Sequence, residues 1–143
     1  MAIKQISVFV ENRMGTLVEI TKTLAAADVD IRALSLADTT DFGILRLIVN
    51  DPERAIKAVK DAGFTANVTE VIGVLIEDKP GGFSRAIESI TNAGISVEYA
   101  YAFITPNIGD AYVIVRVEDN EKAEAALKKA GVKVVEQSEI ISI

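Results

Sequence analysis

Two stretches decide how this chain is read: ENRMGTLVEITKTLAAADVDI at residues 11–31 and EDKPGGFSRAIESITNAGISVEYAYAF at residues 77–103. Glu11 aligns with Glu77, Gly15 with Gly81 and Ala27 with Ala93, all at an offset of 66, so the chain is a tandem duplication. Further along the offset becomes 68, with Asp51 on Asp119, Ala55 on Ala123, Ala62 on Ala130 and Gly63 on Gly131. The second copy therefore carries two extra residues, and ITPNIG at 104–109 is their expected place, because its Pro, Asn and Gly are turn formers between apolar runs. The boundary falls near residue 70 in strand-like sequence with no Pro/Ser linker, giving expected domains at 1–70 and 71–143.

Within the first copy the hydrophobic period switches in a regular order. Residues 3–10 alternate, with Ile6, Val8 and Val10 on one face, which predicts a strand. Leu17, Ile20, Leu24 and Ala27 then recur at helical spacing, with Glu19 and Lys22 on the polar side. Residues 29–37 alternate again, and FGILRLIV at 42–49 reads as a more buried strand. Asp51-Pro52 has the form of a helix start, with Asp as N-cap and Pro in the first turn, Ile56 and Val59 facing the core and Gly63 ending the helix. A last strand follows from about residue 65.

The second copy repeats the order, with a helix through Phe83, Ile87 and Ile90, another through Ala123 and Leu127, and VKVVEQSEIISI as the closing strand. Two βαββαβ units imply an α+β fold: two ferredoxin-like sandwiches, each an antiparallel sheet with both helices on one face. Right-handed crossovers give the strand order 4-1-3-2 and leave strand two on an edge, where another unit or chain can pair.

Composition narrows the chemistry. The 143 residues contain no His and no Cys, which removes imidazole bases, thiolate nucleophiles, disulfides and the usual zinc sites, and they carry a net charge of −6, which argues against a nucleic-acid partner. The longest uncharged stretch, residues 99–109, is far short of the roughly 20 residues that cross a bilayer, and no signal peptide is visible at the start. The expected location is cytoplasmic, with no membrane partner and no cofactor.

The turn between the first strand and first helix is the candidate site. Asn12 and Asp78 are followed by Arg13 and Lys79 and then by Gly15 and Gly81 at the mouth of a helix. Free backbone N–H groups and the positive helix end suit a carboxylate there, Gly allows close approach, and the Asn12 or Asp78 side chain can accept from an ammonium group. A carboxylate donor pocket beside an ammonium acceptor describes an amino acid. A helix start also takes Asn or Asp before a Gly turn for purely structural reasons.

These residues make the chain resemble the ACT domain family, a small regulatory βαββαβ module of amino-acid-responsive enzymes such as phosphoglycerate dehydrogenase. The resemblance covers both copies, and the DKPGG run with GISVEYAYAF is similar to stand-alone tandem ACT proteins that bind amino acids. One departure is Met14, where Pro is usual, as Pro80 is in copy two; it implies a looser first turn. The resemblance implies ligands at interfaces between ACT units, held by Asn12, Arg13, Met14, Gly15, Thr16 and Leu17, or by Asp78, Lys79, Pro80, Gly81, Gly82 and Phe83. It adds the start of strand two of a neighbouring unit, at Asp30 and Ile31 or Ser96 and Val97. Tyr99, which shares a strand face with Tyr101, can be aimed at a pocket or interface or can pack on a helix. Arg32, Arg46, Arg85 and Arg116 are read as solvated or paired surface groups.

The function expected from this reading is a non-catalytic sensor that binds a small amino acid, works as a homodimer and shifts a domain or dimer arrangement. The alternative is a regulatory subunit acting in trans on a separate enzyme of amino-acid metabolism. An enzyme using carboxylates or Tyr is the third reading, and no clustered acids with a nucleophile or metal geometry support it.

Overall fold

The computed structural model describes residues 2–38, 41–103 and 109–141. The chain divides into two compact units, Lys4–Thr69 and the described part of Glu70–Ile143 together with residues 2–3. The ITPNIG insertion expected in copy two lies, except for Gly109, outside the described residues.

In the first unit the elements run β1 (Ile3–Glu11), α1 (Thr16–Ala26), β2 (Ile31–Asp38), β3 (Phe42–Val49), α2 (Pro52–Asp61) and the opening of β4 (Ala66–Glu77). Strand β3 lies between β2 and β1, antiparallel to both, and β1 neighbours β4, which is the 4-1-3-2 order that right-handed crossovers require. Ile6, Val8, Val10, Leu45, Leu47 and Val49 cover one face, and Ile20, Leu24, Ala55 and Val59 of the two helices pack on them. Leu17, expected on the core stripe, is 40 % exposed. Thr16 is buried in its place, one turn before Ile20 and Leu24, which lie on the core stripe as expected, because the helix opens at Thr16 with that side chain turned inward.

The second unit continues β4 and adds α3 (Gly82–Asn92), β5 (Val97–Ala102), β6 (Asp110–Val117), α4 (Asn120–Lys129), β7 (Lys133–Val135) and α5 (Gln137–Ile141). Strand β4 pairs β7 on one side and β6 on the other, and β6 pairs β5, so the order repeats. The buried helix positions are Gly82, Ala86 and Ile90, while Phe83 stays 43 % exposed and Ile87 is half-buried. The closing strand is shorter than expected. It ends at Val135, and EQSEII winds into a short helix whose Glu139 and Ile140 amides donate to the Glu136 carbonyl. The polar run from Glu136 to Glu139 breaks the period-two pattern, and Ile140 is fully buried from the helical side.

The four long helices begin in two different ways. Asp51 and Asp119 cap α2 and α4 by accepting from the Arg54 and Lys122 amides at 3.2 and 3.1 Å. Helices α1 and α3 start from Gly15 and Gly81, both left-handed (φ 92° and 86°), with no side-chain cap. Their first amides, Thr16 and Gly82, are taken by the carbonyls of Arg13 and Lys79, and no side chain caps the amides that follow.

Candidate functional site

Each Gly-led turn is held by the same bonds in both units. The Asn12 amide donates to Asp41 O at 3.2 Å and the Asp78 amide to Gly109 O at 2.9 Å, tying the turn to the end of the neighbouring hairpin. The turn then closes from Thr16 N–H to Arg13 O at 3.4 Å in the first unit and from Gly82 N–H to Lys79 O at 3.0 Å in the second. The looser first turn is the one with Met14 in place of Pro, which leaves φ free where Pro80 restricts it.

Asn12, Arg13, Met14, Leu17, Asp78, Lys79, Pro80 and Phe83 are all exposed. Arg13 and Lys79 fold back on the last residue of their own strand, reaching Glu11 at 3.3 Å and Glu77 at 2.6 Å. The hydrogen bond from Lys79, with its charge and that of Arg85, holds the Glu77 carboxyl below the ordinary value of 4.5. A depressed carboxyl pKa favours the fold above 4.5, and this contribution fades as pH falls through the lowered midpoint. Lys79→Ala is expected to move the Glu77 midpoint upward in a carboxyl-carbon NMR titration; an unmoved midpoint would show that the bond does not persist in solution.

Beside each turn lies a cavity, and the two occupy equivalent places in the repeat. In the first unit it measures about 270 Å³ and runs from Glu11, Arg13, Thr16 and Glu19 to the turn at Ala62, Gly63 and Phe64. In the second it measures about 410 Å³ and runs from Glu77, Gly82, Arg85 and Glu88 to Ala130, Gly131 and Val132, with Ser89 and Asn92 along the helix. Of the turn residues singled out from the sequence, Arg13, Thr16 and Gly82 line these cavities. Thr16 is 4 % exposed, and its Oγ1 has no hydrogen-bond partner among the described residues.

Arg85, expected as a surface arginine, lines the cavity instead, together with Ser89 and Asn92, and the spacing of four and three residues places all three on one helix face. Gly131 and its neighbours carry no such signal, since only the fold brings them to the helix.

The strand-two positions lie elsewhere in their own units. Glu11 is opposite Phe42 and Ile31 opposite Val49, so seven residues of strand, about 23 Å, separate the turn from the start of β2. Glu77 opposite Asp110 and Val97 opposite Val117 give the same separation in the second unit. Asp30 is tied to Asn50 by two bonds, at 2.9 and 3.1 Å, and pairs with Arg32 at 2.7 Å. Ile31 and Val97 pack against the cores. Ser96 lines a separate acidic depression with Glu70, Glu98, Glu118, Asp119 and Glu121. Among the described residues, no group of three or more His, Cys, Asp or Glu could hold a metal ion.

Tyr99 sits on the sheet face away from the helices. A register shift between Val97 and Tyr99 sets Tyr99 opposite Arg116 and Tyr101 opposite Ile114, whereas Val113, Val115 and Val117 belong to the helix-covered core. The two rings stack at 6.5 Å. They therefore do not pack on α3 or α4 of their own unit. Arg116 pairs with Glu98 at 3.4 Å.

A family model for the ACT domain pair matches residues 1–143. The chain belongs to the ACT domain pair family. Protein BT0572 from Bacteroides thetaiotaomicron is 36% identical to this ACT pair, superposes with a TM-score of 0.93 and is matched over 100% of this chain and 98% of that one. The ligand-free regulatory subunit of aspartate kinase from Thermus thermophilus shares the fold at 16% identity, with a TM-score of 0.66 over 89% and 91% of the two chains. The corresponding subunit from Thermus flavus does so at 16% identity and a TM-score of 0.62, over 90% and 92%. No curated protein matches the ACT pair. None of its helices, among the described residues, is long and apolar enough to cross a membrane.

Proposed function

We propose that this ACT pair is a non-catalytic regulatory protein that binds a small amino acid at the Gly-led helix mouths. One observation carries the reading: both repeats keep a cavity in the same place, between an uncapped helix start and the turn entering the last strand. Helix capping by Asp is available to this sequence, as α2 and α4 demonstrate, yet the two helix mouths beside the cavities carry Gly instead. The positive end of a helix without a side-chain cap, next to a cavity of mixed charge, suits a zwitterion. The strand-two positions Asp30, Ile31, Ser96 and Val97 lie too far from the turn of their own unit to touch the same ligand. A homodimer is the arrangement in which a second copy would supply them.

The likeness to regulatory subunits of aspartate kinase supports a second reading, in which the output is a separate enzyme of amino-acid metabolism regulated in trans. Copurification with a larger catalytic chain favours it; a stable dimer that responds to an amino acid alone favours a self-contained sensor.

Thermal denaturation in the presence of each of the twenty amino acids tests the common part. A ligand at about 100 times its Kd stabilises the native state by about 2.7 kcal/mol, which is roughly 5–10 °C for a chain of this size. Gly81→Val, which places a β-branched residue at φ 86°, should leave a folded protein without that shift. No shift with any amino acid, or an undiminished shift in the variant, would count against the proposed site.

A further inference from the structure

The two cavities are equivalent in position and each is lined by two Glu and one Arg, but the Arg stands at the turn in the first unit (Arg13) and on the helix in the second (Arg85). Arg85 is the repeat counterpart of Glu19: both stand in the first turn of their helix, both are exposed and both line their cavity. Among the described residues neither has an ion-pair partner within 4.0 Å, although the Arg85 charge acts through space on Glu77 of the same cavity. Glu11 is paired with Arg13, which lines the first cavity, and Glu77 with Lys79, which does not line the second, so among the described residues Arg85 is the one cation lining the second cavity and it has no ion-pair partner within 4.0 Å.

The Arg85 guanidinium also sits at the helix mouth: a Cβ built on Gly81 would lie 3.9 Å from its Nη1, whereas nothing lies within 4 Å of the same point on Gly15. Glu88, one turn further along α3, adds an anionic group to the second cavity, where the first unit has Lys22, which does not line its cavity. The second cavity, at about 410 Å³, falls within the roughly 300–1,000 Å³ typical of small-molecule sites, and the first, at about 270 Å³, falls below it.

We infer that the chain has one carboxylate-binding site, the cavity of the second unit, with Arg85 as its anion-binding residue, and that Glu19 closes the first cavity to carboxylates. This rests on the proposed amino-acid function and deepens it. The ligand's carboxylate meets the guanidinium beside the Gly81 turn and its ammonium group faces Glu88, giving one molecule bound per chain. A guanidinium can hold a carboxylate through two parallel N–H bonds, whereas a Glu in the same position repels it.

Sodium acetate titrated into the ¹⁵N-labelled full chain, with methylammonium chloride as the control, tests the carboxylate site without any choice of amino acid. Saturable acetate shifts are expected at the Gly81 and Gly82 amides and the Arg85 side-chain N–H, and none at Gly15 and Thr16. Arg85→Glu should weaken the second-unit response about tenfold or more, and Glu19→Arg should create a response at Gly15 and Thr16. Both residues are exposed, so both variants should fold, and one-dimensional spectra verify that. Shifts in both units of the unaltered chain, in neither, or undiminished in Arg85→Glu would overturn the assignment. Acetate binding as expected with no response to any of the twenty amino acids would uphold this cavity as an anion site and sink the amino-acid reading alone.

Discussion

Gly82→Ala should lower the thermal midpoint by roughly 5–10 °C, a larger loss than any other single methyl group is expected to cause at the turns. A Cβ on Gly82 would be driven into the carbonyl oxygen of Glu77, far inside van der Waals contact, and its next neighbours are the Glu77 carbonyl carbon and amide nitrogen. These are backbone atoms of a paired strand and cannot rotate aside as a side chain would. Relief requires the turn from Glu77 to Gly82 to open, which strains or breaks the 3.0 Å bond from the Gly82 amide to Lys79 O. Overpacking of this kind costs about 1–3 kcal/mol and sometimes more, and each kcal/mol is worth about 2–4 °C at this chain length. The first unit holds Thr16 at the same position, where the turn is wider by 0.4 Å at the closing bond (3.4 against 3.0 Å). Scanning calorimetry of Gly82→Ala beside Thr16→Ala measures the contrast, and a Gly82→Ala midpoint within a degree of the parent would show that the second turn is as loose as the first.

Leu127→Ala should cost about 2–5 kcal/mol. Leu127 is fully buried, points from α4 into the core of the second unit and packs there with Ile72, Val74, Ile90 and Val115 among its fellow core residues. Deleting three carbon atoms removes their transfer free energy and leaves a hole that a sheet and two helices can only partly collapse around. The two cores are separate clusters, and among the described residues the first contains none beyond Ala66. Native-state hydrogen exchange should therefore show the loss of protection at the β4 amides of residues 72–75 and in β6 and α4. A loss below about 1 kcal/mol there would mean that the second core relaxes far more freely than close packing allows.

Much of the fold was legible because the relevant signals are local. The alternation of Ile6, Val8 and Val10, the Asp51-Pro52 helix start and the offset of the two copies each depend on a few neighbouring residues, and the elements form where those signals stand. The errors fell where a local pattern was ambiguous. Leu17 and Phe83 have helical spacing yet face solvent, because the first buried position of each helix is Thr16 or Gly82, while Ile20, Leu24 and Ile90 keep the expected face. VKVV has the pattern of a strand start, but the strand stops at Val135 because the polar residues after it form a turn of helix. Tyr99 could not be assigned a face from period two, since one register shift reverses it.

The candidate site was half legible. The Gly-led turns announce themselves in sequence, but the cavities beside them do not, and Arg85 looked like one surface arginine among several. What the amino-acid sequence determined by itself was a duplicated βαββαβ chain, its core faces and its two Gly-started helices, since each follows from steric and hydrophobic preferences acting over a single turn or strand. The tertiary structure alone decided which charges share a cavity. Arg85 and Gly131 are far apart along the chain and meet only because the crossover helix α4 returns its end to the mouth of α3. Proximity of that kind is set by how helices pack on a sheet, and no local preference encodes it.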